Sequence, residues 1–177
     1  MKKTLVIILL GIVTGFMPDH GFAADWSAMT SGTTHNLNGV WGRSGSDAFA
    51  VGDNGTILYY DGTAWSAMAS LTTNNLNGVW GSAGSNVYAV GDNGTILHYD
   101  GTAWSAMTSP TTNNLNSIGG GLDGPEFAVG DNGTIISYHG GWENREEGIT
   151  TNQLNSVIYI INYYHANAYA VGNNGTL

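Results

Sequence analysis

The chain has 177 residues, 4 basic and 13 acidic side chains, a formal net charge of −9 and no cysteine. So acidic a surface repels phosphate backbones and anionic headgroups, which excludes nucleic acid as a natural partner. Without cysteine there is no disulfide, no thiol nucleophile and no thiolate metal site.

The chain opens with Lys2 and Lys3, an apolar run that includes "LVIILLGIV", and small residues at Gly21, Ala23 and Ala24. Residues 1–24 read as a secretory signal peptide cleaved after Ala23 or Ala24. The run is short for a membrane span, which needs about 20 apolar residues. Removal of the segment leaves two basic residues, Arg43 and Arg145, against twelve acids, a net charge near −10. The expectation is export to the periplasm, the cell surface or the medium, with no membrane insertion once the signal is gone.

Residues 25–177 are a repeat. Trp26, Trp65 and Trp104 are 39 apart and Trp142 follows after 38; Leu37, Leu76, Leu115 and Leu154 are 39 apart. "VGDNGTI" recurs at Val51, Val90 and Val129, and a worn copy, "VGNNGTL", occupies Val171–Leu177. The units run 25–64, 65–103, 104–141 and 142–177. In the second copy, strands are predicted at Leu76–Gly81, Asn86–Gly91, Thr95–Tyr99 and Ala103–Met107, with β-branched and aromatic residues in the strands and Gly, Asn and Asp between them. Asn-Gly after the second strand predicts a type I′ turn, which needs φ > 0 at both central residues. Asp53, Asn54, Gly55, Asp92, Asn93, Gly94, Asp131, Asn132 and Gly133 are therefore assigned to structural turns, each Asp bonding within its own turn. Four-stranded antiparallel units recurring about every 40 residues are the signature of an all-β propeller. The fourth copy stops at the start of its third strand, so the chain reads as four blades with an incomplete last one, or as a piece of a larger propeller. An unfinished blade would also let two copies pair through its open edge.

"VGDNGTILHYDGTAW" resembles the repeat of secreted bacterial propellers related to the photosystem II stability and assembly factor family and, more distantly, Asp-box repeats. Gly91, Gly94, Ile96, Asp100, Gly101 and Trp104 carry the match, as do Gly52, Gly55, Ile57, Asp61, Gly62 and Trp65. The third copy departs with "YHGGW", where His139 stands for Asp, and every copy lacks the leading Ser of a full Asp-box. The resemblance implies a propeller that binds or assembles protein partners.

Several chemistries fail on the residues. A phosphate loop needs a helix after its glycines and usually a Lys, but "GDNGT" precedes a strand and residues 25–177 hold no Lys. A calcium loop needs further acids that "DNG" lacks. Asn54, Asn93, Asn132 and Asn174 sit in Asn-Gly-Thr, a formal glycosylation acceptor, but the turn requires the same residues. A glycosidase needs a facing carboxylate pair, and the acids here recur with the repeat; "ENREE" reads as a solvated loop. His35, His98 and His139 form no triad frame with Ser and Asp. No catalytic residue, metal or cofactor is implied. Trp41 and Trp80, at the end of the first strand, are the candidate ligand-binding residues, able to stack on sugar rings but equally suited to packing between blades; the third and fourth copies place Gly120 and Tyr159 in that region. The expectation is a non-enzymatic binding scaffold for protein, with a lectin as the alternative and a glycoside hydrolase behind it.

Overall fold

The computed structural model describes residues 5–7, 27–121, 124–145, 149–161 and 166–177. Most of the expected leader, Trp26, and Glu146 and Glu147 of the "ENREE" loop lie outside the described residues.

Alternating small, β-branched and aromatic residues between Gly- and Asn-rich turns produce short strands throughout. In chain order these are β1 (Leu5–Ile7), β2 (Ser27–Met29), β3 (Leu37–Ser44), β4 (Asp47–Gly52), β5 (Ile57–Tyr60), β6 (Trp65–Ala67), β7 (Leu76–Ala83) and β8 (Asn86–Gly91). Then follow β9 (Ile96–Tyr99), β10 (Trp104–Ala106), β11 (Leu115–Gly121), β12 (Gly124–Gly130), β13 (Ile135–Tyr138), β14 (Trp142–Asn144), β15 (Leu154–Ile161) and β16 (Ala166–Gly172). They form three four-stranded antiparallel meanders, β3–β6, β7–β10 and β11–β14, and a two-stranded sheet, β15–β16. A further pair joins β1 to β2, with Val6 opposite Ala28 and Ile7 opposite Ser27.

The four first strands, β3, β7, β11 and β15, stand side by side, so the sheets stack face to face and radiate outward from them. Each interface repeats one design. Phe49, Val51 and Ile57 of the first sheet pack on Leu76, Val79, Val87, Ala89, Leu97 and Trp104 of the second. Tyr88, Val90 and Ile96 pack in the same way on Leu115, Ile118, Ala128, Ile136 and Trp142 of the third. Both faces of an inner sheet are thus covered, which explains why strands such as "NVYAVG" are apolar on both sides. Each fully buried side chain of this size contributes about 2 kcal/mol.

The turn after each second strand is built alike. Asn54, Asn93 and Asn132 have φ of 54°, 55° and 55°, and the glycines that follow have φ of 67°, 67° and 72°. The Thr95 amide donates to the Asp92 carbonyl at 3.1 Å, closing the four-residue turn. Gly94 is required twice over. Its φ is left-handed, and a Cβ there would overlap the carbonyl oxygen of Thr111 in the segment leading to the next sheet.

Gly140 also has a left-handed φ, +81°, but a Cβ there would meet nothing within 4 Å. Gly94→Ala is therefore expected to lower stability by about 3 kcal/mol, and Gly140→Ala by about 1 kcal/mol. Urea melts of the two variants check this; equal losses would refute the close-approach argument.

Candidate binding surface

Every first strand contains a β-bulge at the residue after its leading leucine. Leu76 pairs with Gly91 and Gly78 with Val90, which leaves Asn77 as the extra residue. A bulge re-aims the side chain it carries. Asn77 Nδ2 donates to Asp92 Oδ1 at 3.0 Å and to the Leu115 carbonyl of the next sheet at 3.0 Å. Asn75 Nδ2 donates to the other carboxylate oxygen of Asp92 at 2.9 Å, while Asn75 Oδ1 accepts the Asn54 amide of the preceding turn at 3.0 Å. The first and third sheets repeat the arrangement, with Asn36 and Asn38 on Asp53 and Asn114 and Asn116 on Asp131. The carboxylate therefore spans to the first strand rather than bonding within its own turn as the sequence suggested. The own-turn role falls to Asp61 and Asp100. Asp100 Oδ1 accepts the amides of Thr102 and Ala103 at 2.8 and 2.9 Å, and those bonds, Ala103's first, hold its carboxyl below the usual carboxylate range.

The fourth copy keeps the latch with different atoms. Asn173 replaces the Asp; it accepts from Asn155 Nδ2 at 2.9 Å and donates to Gln153 Oε1 at 3.0 Å. An amide can do both where a carboxylate only accepts.

Trp41 and Trp80 are both half-buried. Trp41 lies 6.2 Å from Phe49, and a Cβ on Gly81 would come within 2.8 to 3.0 Å of its ring, so it is wedged against the second sheet. Trp80 packs on the next interface in the same way. Strand pairing also corrects the equivalence by one residue. Trp41 opposes Phe49 and Trp80 opposes Tyr88; their counterparts are Gly119, opposite Phe127, and Ile158, opposite Tyr169, rather than Gly120 and Tyr159.

The repeat also breaks at the third sheet's outer edge. Ser137 stands where Tyr59 and His98 stand, and Arg145 where Met68 and Met107 do. Arg145 Nε donates to the buried Ser137 Oγ at 2.7 Å, and its guanidinium reaches Glu143 at 3.6 Å. Ser137 Oγ and His139 Nδ1 are 3.4 Å apart, and Arg145 contacts both. Sequence reasoning assigns this segment to a solvated loop; the replaced methionine is the signal available against it. The order is Ser, Arg, Glu, so the imidazole is not held between a nucleophile and an acid as acyl transfer needs.

Arg145 borders a groove of about 810 Å³ between the third and fourth sheets, floored by Phe127, Val129, Ile135, Leu154 and Val157 and edged by Tyr169. In the two earlier interfaces this space is filled by Leu97 with Trp104 and by Ile136 with Trp142. Among the described residues β16 pairs with β15, and its Gly172 amide donates to the Thr176 carbonyl at 3.1 Å.

No protein-family model matches the chain, and no curated protein matches it. Among solved structures, "YCF48 bound to D1 peptide" matches with a TM-score of 0.60 and 21% identity, over 72% of this chain and 46% of that one. The fold is a β-propeller. The chain spans less than half the length of that propeller, with three complete blades and the two inner strands of a fourth among the described residues.

Removing the latch of the second blade tests its weight. Asp92→Ala leaves two amide donors without a partner and is expected to lower stability by about 2 kcal/mol. Asp92→Asn should lose less, because an amide can still accept one of the bonds, as Asn173 does. Thermal melts of both variants check the order.

His98 gives a pH-dependent prediction. It stacks on Tyr88 at 4.4 Å and lies 2.8 Å from Asn86 Oδ1, whose own amide donates to Ser82. Nε2 is thus the donor and the neutral ring fits. Burial pushes its pKa below 6.5, opposed more weakly by Asp100. Since the unfolded chain takes up the proton first, this residue's contribution is complete above pH 6.5 and declines as pH falls below it. An NMR titration placing the His98 pKa above 6.5 would contradict this.

Proposed function

We propose that the chain is an exported, non-enzymatic propeller that binds protein segments. The observation that carries the reading is the likeness of its fold to a propeller seen with a peptide bound. The similar propeller, YCF48, is bound to a D1 peptide, which supports a protein ligand for this chain as well. Export rests on the Lys2–Lys3 start, the apolar run and the small residues before Asp25; N-terminal sequencing of the exported product should begin at Ala24 or Asp25. The sugar-binding alternative through Trp41 and Trp80 gains no support from their position, wedged between blades.

An array of overlapping extended peptides, with hits confirmed by calorimetry on the intact protein, tests the reading. At least one peptide should bind saturably, and a glycan array should show no binding. Glycan binding with no peptide binding would overturn it.

A further inference from the structure

We propose that Asn54 is a site of spontaneous deamidation in the folded protein, laid open to it by a histidine that stands where the later copies have a clamping asparagine.

The reaction is favoured at Asn-Gly because glycine has no side chain to shield its own nitrogen. The Gly55 nitrogen attacks Asn54 Cγ. A C–N bond forms and closes a succinimide, the Cγ–Nδ2 bond breaks, and ammonia leaves with the amide proton. Water then opens the ring at one of its two carbonyls and yields aspartate or isoaspartate. Asn54 and Asn93 both lie in "VGDNGTIL" and both are exposed. Their intrinsic chemistry is therefore the same, and a difference in rate must come from the structure.

The turn itself resists the reaction. Ring closure needs the glycine nitrogen on the same side of the Cα–C bond as the side chain. The left-handed backbone, with φ 54° and ψ 38° at Asn54 and φ 55° and ψ 36° at Asn93, points it away. The turn must open locally first, so the copy that opens more readily reacts faster.

The later copies carry a clamp against opening. Asn74 Nδ2 donates to Thr95 Oγ1 at 2.9 Å, and Asn74 Oδ1 accepts from Asn93 Nδ2 at 3.3 Å. Asn113 holds Thr134 and Asn132 in the same way, at 2.8 and 3.3 Å. One carboxamide thus grips both the threonine that ends the turn and the side chain that would react. The first copy has His35 at this position. The Thr56 hydroxyl donates to the Asp53 carbonyl at 2.7 Å, so it accepts from His35 Nδ1, also at 2.7 Å. The threonine is held as before, but an imidazole has no oxygen to offer the Asn54 carboxamide. Among the described residues, Asn54 Nδ2 makes no counterpart of the bond from Asn93 to Asn74. The backbone ties are alike: the Asn54 amide donates to Asn75 at 3.0 Å and the Asn93 amide to Asn114 at 2.9 Å. The loss is confined to the group that reacts. Either product bears on the neighbouring latch. Aspartate sets a second charge beside Asp53, which already takes Asn36 and Asn38, and isoaspartate lengthens the turn that holds it.

The full chain is aged in neutral buffer, digested and followed by mass spectrometry; "ILYY" and "ILHY" tell the first two copies apart. Asn54 should convert about fivefold faster than Asn93, the factor that one hydrogen bond makes in an opening equilibrium. In concentrated urea the two sites should convert at one rate. His35→Asn should slow Asn54 to the rate of Asn93, and Asn74→His should raise Asn93 to the rate of Asn54. A native rate at Asn54 no higher than at Asn93, or one that His35→Asn leaves unchanged, overturns the inference.

Discussion

Each blade is held in register with the next by one carboxylate. Asp92 accepts from Asn75 and Asn77, Asn77 also donates to the Leu115 carbonyl, and Asn75 accepts from the preceding turn at Asn54. The apolar interfaces contribute most of the stabilising free energy, but such burial is non-directional and roughly proportional to area. It would tolerate a sheet shifted along its neighbour. The latch does not, because its amides reach their acceptors only when the bulge and the turn face each other. Hydrogen bonds of this kind contribute modestly in net terms, about 1 kcal/mol each, yet leaving them unmade costs more. That asymmetry makes them good devices for register.

The fourth copy shows that the latch, rather than the residue, is what the fold keeps. Replacing a carboxylate by an amide removes one acceptor and adds a donor. The partner changes from Asn to Gln153, whose oxygen accepts the new proton. Asn155 still donates, as Asn77 does. Two of the three residues have changed and the connection between turn and first strand survives.

Much of the fold is legible in the sequence because it is local. Strand ends in the second copy lie within two residues of expectation, since Gly, Asn and Asp mark turns through their own backbone preferences. The I′-like geometry of Asn93-Gly94 follows from the same cause. The partner of Asp92 is not legible in the same way, because it depends on a bulge and on pairing across 15 and 17 residues. A signal exists: "NLN" and "DNG" keep that separation in three copies. The one-residue error in matching Trp41 to the third copy has a different origin, a slip along a run of glycines. "LNSIGGG" has three glycines to align; the 39-residue spacing from Trp80 selects Gly119, and strand pairing agrees.

Arg145 looks like a loop charge in the sequence because charge runs usually are. Its meaning lies in what it replaces. Met68 and Met107 are partly buried against the interfaces their blades share with the next. There a flexible apolar side chain closes the packing. At the third blade a cation occupies the same position, its backbone amide still bonded to Ile135 as Met107's is to Ile96. The residue it faces has changed with it: Ser137 stands where Tyr59 and His98 stand, and its buried hydroxyl accepts from Arg145 Nε while the guanidinium reaches Glu143. The two substitutions are thus coupled, because a buried hydroxyl and a planar donor satisfy each other where a ring and a methionine would only pack.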